Sequence, residues 1–139
     1  MVKNILQPTG DQVRAFRDRQ TGERISMLNL LKFRDKAVYE DGRACDLSGR
    51  EAYALYGEGF RRVMEPLGCR IVYSGEVRGF LIGEGEGAWD AIAVIEYPNT
   101  QVMLDMFRNE EYKKEQAHRA AGLVGQMLIE CGPGFNFGQ

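Results

Sequence analysis

The sequence is short of the residues on which most site chemistry depends. It has one histidine, His118, one tryptophan, Trp89, and three cysteines among 139 residues. A single histidine excludes a histidine-pair metal centre, and the carboxylates fall at no ligand spacing, so no metal is expected. One histidine without a supporting motif is no haem signature either, and no cofactor is expected. Cys45, Cys69 and Cys131 are odd in number and lack CxxC spacing, which argues against a disulfide framework. Cys69 and Cys131 fall in strand-like stretches and read as small buried apolar side chains. The chain has no apolar run of about 18 residues, so no membrane partner is expected. Its opening, MVKNILQPTGD, lacks the apolar core and cleavage site of a secretory signal. These absences predict a reducing, cytoplasmic setting.

An excess of positive charge is also lacking. Eighteen basic residues stand against 20 acidic ones, a formal charge of −2, which argues against a nucleic-acid partner. The basic doublets Arg61-Arg62 and Lys113-Lys114 fall on predicted helices and read as solvated faces. The GEGEG turn at 83–87 has no lysine and no GxGxxG spacing, so it is no phosphate cradle.

What is present is an ordinary globular composition, 44% hydrophobic and 27% charged, which predicts one domain over residues 1–139 with a helical extension at 1–24. WDAIAVIEYP, from Trp89 to Pro98, is apolar on both parities, the pattern of a strand covered on both sides. ISMLNLLKF, from Ile25 to Phe33, is apolar on both parities too, with Asn29 as the polar exception. Pro8-Thr9 opens a short helix and Thr21-Gly22 ends it. Residues 34–47 read as a long polar loop with a turn at Asp41-Gly42. Ser48 and Glu51 have capping-box spacing before an apolar-aromatic stripe from Ala52 to Leu67. Residues 69–83 read as strand-like throughout, with a bulge at Ser74-Gly75. Asn99 or Thr100 caps a further helix and Asn109 caps its continuation. QMLIECG, residues 126–132, is the last strand, followed by the tail PGFNFGQ.

After the leading helix the order is β-α-β-β-α-β, an α+β, ferredoxin-like arrangement with two helices on one face of a four-stranded antiparallel sheet. Two helices cover one face only, yet two strands are apolar on both. A second copy of the sheet is the economical cover, so a homodimer closed sheet to sheet is expected.

The segment from Ala52 to Gly132 resembles the family called domain of unknown function 1330, within the dimeric α+β barrel superfamily. The resemblance rests on Tyr53 and Tyr56, the LGCRIVYSGE strand start, Glu86-Gly87 before Trp89, the VIEYP strand end, and NEEY followed seven residues later by Arg119. Cys69 and Tyr97 depart from the residues more usual in the family, glycine and phenylalanine. Residues 1–47 lie outside a secure carry-over. The resemblance implies the dimeric barrel but no single reaction. Its superfamily includes cofactor-independent monooxygenases, lactone isomerases and haem enzymes.

Among candidate site residues Arg119 comes first. It shares a helix face with Tyr112, two turns away, and its guanidinium can bind a carboxylate or enolate oxygen by a forked pair of hydrogen bonds. The structural alternative is an ion pair with Asp90 or Glu96. His118 is the natural proton shuttle, but it lies about 100° round the helix from Arg119, which favours an exposed or edge position. Asn29, with Tyr53, Tyr56 or Tyr73, can orient a substrate carbonyl or phenol, or be satisfied by backbone. Trp89 can stack on a planar ligand or fill the core. Lys32 with Glu96, and Asp90 with Arg78, are possible strand-end ion pairs. Two functions stay open: an oxygenase or isomerase acting without a cofactor on a small hydrophobic or aromatic acid, and a non-catalytic metabolite-binding or purely structural dimeric module.

Overall fold

A computed structural model of the chain describes residues 6–85 and 89–134. In chain order the elements are α1 (Gly10–Asp18), β1 (Ile25–Phe33), α2 (Gly49–Met64), a 3-10 turn (Glu65–Leu67), β2 (Arg70–Glu76), β3 (Ala91–Tyr97), α3 (Thr100–Phe107), α4 (Glu110–Gly122) and β4 (Leu123–Cys131). The strands form one antiparallel sheet in the order β2-β3-β1-β4. This is the ferredoxin-like arrangement, and its two central strands are the two that the sequence marks as apolar on both faces.

Each helix starts where its side chains can satisfy free backbone donors. Thr9 with Gln12, and Ser48 with Glu51, form reciprocal capping boxes, while Asn99 and Asn109 cap α3 and α4. The 3-10 turn closes on Gly68, whose φ of 84° suits a residue without a Cβ.

Strand register assigns the two faces. Ile25, Met27, Asn29 and Leu31 of β1 pair with Tyr97, Ile95, Ala93 and Ala91 of β3. These residues look towards α2, α3 and α4, where Met27, Ile95 and Tyr97 join Tyr56, Phe60, Met64, Met103, Met106 and Tyr112 in the main core. On the other face stand Leu28, Leu30, Ile92 and Val94, with Met127 and Ile129 of β4 and Tyr73 of β2. No described element covers that face.

Several expectations need correction. Within 69–83 only Arg70–Glu76 is strand, and one further bond, from the Val77 N–H to the Asp90 carbonyl, extends the pairing. β3 begins only at Ala91, so residues 78–83 have no strand to pair with, and Leu81 and Ile82 are 98% and 89% exposed. The bulge falls between Ile71 and Tyr73, not at Ser74-Gly75. The 34–47 loop is polar in composition but packed: Ala37 and Tyr39 are buried against Ala52 and Ala121. Backbone bonds from Ala37 to Leu47 and from Val38 to Ala121 hold it there. Cys69 is buried as expected, but Cys131 is exposed at the end of an edge strand.

Neither proposed strand-end ion pair forms. Glu96 faces Ser26 at the opposite end of β1 from Lys32, and it binds Arg24 and Arg70. The Asp90 carboxylate instead accepts the Phe33 N–H at 2.8 Å. Glu86-Gly87, the end of the GEGEG turn and all but the first two residues of the PGFNFGQ tail lie outside the described residues. No described helix is long and apolar enough to cross a membrane, and no metal-binding cluster occurs among the described residues.

Candidate functional site

α4 carries Tyr112, Gln116 and Arg119 at spacings of four and three, one stripe of the helix. β4 follows α4 directly, and Gln126, which pairs with Leu31, turns its side chain to the helix side of the sheet. A continuous polar chain results. The Asn29 amide donates to the Met27 and Ala93 carbonyls at 3.3 and 3.2 Å, and its oxygen accepts from Gln126 at 2.7 Å. The Gln126 oxygen accepts two bonds from Arg119, from Nε at 3.1 Å and Nη2 at 2.6 Å. Arg119 Nη1 reaches Gln116 at 3.5 Å, Gln116 donates to the Tyr112 hydroxyl at 2.9 Å, and Tyr112 shares a 3.0 Å bond with Tyr56. Nη2 also donates to the Leu6 carbonyl at 2.5 Å.

The structure thus brings together Asn29, Tyr56, Tyr112 and Arg119. Tyr53 joins them through its ring, which lies between Phe33 and Tyr56 with centroids 5.5 and 5.2 Å away. Burial raises the phenols of Tyr53, Tyr56 and Tyr112 above their ordinary value, against the opposing pull of Arg119 on Tyr53 and Tyr112. They are therefore neutral donors and acceptors at neutral pH.

Arg119 has no carboxylate within ion-pair distance among the described residues. Asp90 and Glu96, the expected counter-charges, are engaged elsewhere. Beyond Gln126 on the same side of β4 comes Leu128, opposite Asn29 and 44% exposed. Part of an apolar side chain is thus exposed two residues along β4 from the Gln126 that holds the cation.

Trp89 and His118 lie apart from this chain. Trp89 is buried just before β3, four residues in sequence from Ala93, the residue opposite Asn29. His118 is half-buried, and its Nδ1 lies 2.6 Å from the Tyr39 hydroxyl. The helical offset from Arg119 directs it to the packed 34–47 loop. A separate cavity of about 200 Å³ adjoins that pair, lined by Tyr39, Glu40, Asp41, Ala117 and Ala120. Tyr73 is exposed on the opposite face of the sheet.

Sequence reasoning missed Gln116, Gln126, Leu6 and Leu128 at the site, and Tyr39 beside His118. Gln116 was open to detection, since it falls on the Tyr112–Arg119 stripe. The others became visible only through strand register and loop packing.

Residues 43–132 match the family described as domain of unknown function (DUF1330). A protein of unknown function from Rhodopseudomonas palustris has a crystal structure that matches with a TM-score of 0.86 and 32% identity, over 96% of this chain and 100% of that one. The structure of its methylated form matches with a TM-score of 0.88 and 33% identity, over 99% of this chain and 100% of that one. A protein from Arabidopsis thaliana, 10% identical, shares the fold with a TM-score of 0.54 over 81% of this chain and 98% of its own. None of the curated proteins compared matches the chain. The Tyr53/Tyr56 helix and the Arg119 stripe both lie inside the matched stretch, and the chain belongs to the DUF1330 family.

Proposed function

We propose that the protein binds a small carboxylic acid with an apolar body, its carboxylate on Arg119, and does so as a cytoplasmic homodimer closed sheet to sheet. One observation carries the ligand reading: a half-buried guanidinium that, among the described residues, is held by uncharged acceptors alone. Removing a charge from water without a counter-charge is costly, and an incoming carboxylate would offset that cost with charge-assisted bonds. Leu128, 44% exposed and two residues along β4 from the Gln126 that holds the cation, favours an acid with an apolar body over a fully polar anion. The apolar residues on the open face of β1, β3 and β4 support the dimer.

Binding without turnover is the reading favoured here over a cofactor-independent oxygenase or isomerase. His118, the candidate proton shuttle, hydrogen-bonds Tyr39, and the phenols near Arg119 are held protonated. Tyr53, Tyr56, Tyr112 and Asn29 then serve to position Arg119 and shape the site.

Calorimetric titration with benzoate and hexanoate tests the ligand reading. Wild-type protein should bind at least one of them, and Arg119→Gln should weaken binding at least about tenfold, the loss expected for one charge-assisted contact. Equal binding by the variant would overturn the assignment to Arg119. Consumption of the acid with Arg119 intact, lost in His118→Ala, would restore the enzyme reading.

A further inference from the structure

The segment from Leu6 to Arg19 begins at Arg119, the cation on which the acid would bind. Its two ends are tied to the same side of β4. At one end the Leu6 carbonyl accepts from Arg119 Nη2, and Arg119 is itself bound to Gln126. At the other, Arg19 Nε donates to the Glu130 carboxylate at 2.7 Å. Glu130 pairs with Met27, and Gln126 with Leu31, so both side chains face the helices with Leu128 between them. Four residues of strand span about 13 Å. The nine residues of α1 rise about 13 Å. The helix therefore has the length to bridge the two ties across Leu128.

We infer that this segment is a displaceable strap whose Leu6 carbonyl occupies the position of a ligand carboxylate oxygen, so that binding of the acid at Arg119 releases the strap. The inference rests on the binding reading above and adds its regulation. Three features suit α1 to that role. None of its residues is fully buried, and Val13 and Phe16 supply a half-buried apolar edge. Phe16 alone packs against the main core. The Thr9–Gln12 capping box satisfies the helix start internally, so lifting it strands no cap partner elsewhere. Nine residues without tertiary packing make a marginal helix, so a lifted α1 frays. A neutral carbonyl is also a weaker partner for a guanidinium than a carboxylate, so the exchange favours the ligand.

Strap and ligand compete for one donor, so loosening either strengthens the other. Hydrogen exchange of full-length protein with and without saturating benzoate, together with benzoate titration of Arg19→Gln and of Phe16→Ala/Arg19→Gln, provides the test. Faster exchange of the α1 amides on binding, with affinity raised about tenfold in the variants, is the expected result. Binding to the double variant but not to wild type, abolished by adding Arg119→Gln, would also support the strap. Arg119-dependent binding to wild type with α1 exchange unchanged or slowed, and no gain in the variants, would overturn the strap and leave the binding reading standing. Absence of binding to every form would overturn both.

Discussion

Gln126 is the residue through which the site is held together, because its one amide links Asn29 in the sheet to Arg119 on the helix. Gln126→Leu should destabilise the protein by about 1–3 kcal/mol, since the Asn29 oxygen and two guanidinium donors lose their acceptor or donor. Adding Asn29→Leu should recover part of that loss, because two apolar partners leave nothing unpaired between them; chemical denaturation of the single and double variants measures both. Burial pushes the Cys69 thiol from 9.0 up to about 11. The folded state then holds this proton more tightly than the unfolded chain. Its contribution to stability is full below pH 9 and declines as pH rises towards 11. Thiol labelling at pH 8 should accordingly modify exposed Cys131 promptly and Cys69 only on unfolding. Asn29 is legible because it is polar where its neighbours are apolar, and Arg119 because it falls two helical turns from Tyr112 on one face. Gln126 was not, since a glutamine near the start of an edge strand breaks no pattern. Tyr39 was hidden for a different reason: a loop that packs by a few isolated contacts has no period to read.

At the scale of elements, α2 and α4 meet where neither carries a side chain. A Cβ on Gly49 would collide with the Arg34 and Gly122 carbonyl oxygens, and one on Gly122 would lie against the Gly49 carbonyl and the Tyr53 backbone. Gly49→Ala should therefore cost about 1–3 kcal/mol through backbone displacement, well above the effect of Gly57→Ala in the same helix, where an added Cβ meets nothing within 4 Å, as thermal unfolding would report. Helices were read well because caps and stripes are local signals: Thr9, Ser48, Asn99 and Asn109 all cap where expected. Strand ends were read less well. The run after Glu76 is apolar enough for a strand, but pairing depends on where the neighbour begins, and no residue within 78–83 carries that information.

For the whole molecule, the apolar parity of two strands predicts more than the sheet. It leaves a face of Leu28, Leu30, Ile92 and Val94 that the described helices do not reach. Val94→Glu places a charge at the middle of that face. Sedimentation should show a dimer for wild type at micromolar concentration and a monomer for the variant; a monomeric wild type would remove the dimer reading while leaving the sheet order intact. The sheet order has a further consequence. Arg119 and Leu128 serve the helix side of β4, whereas the proposed contact uses the reverse side, so a full sheet separates the two. Each copy then holds its acid alone, and a titration of the pair should trace a plain hyperbola with a Hill coefficient of about one.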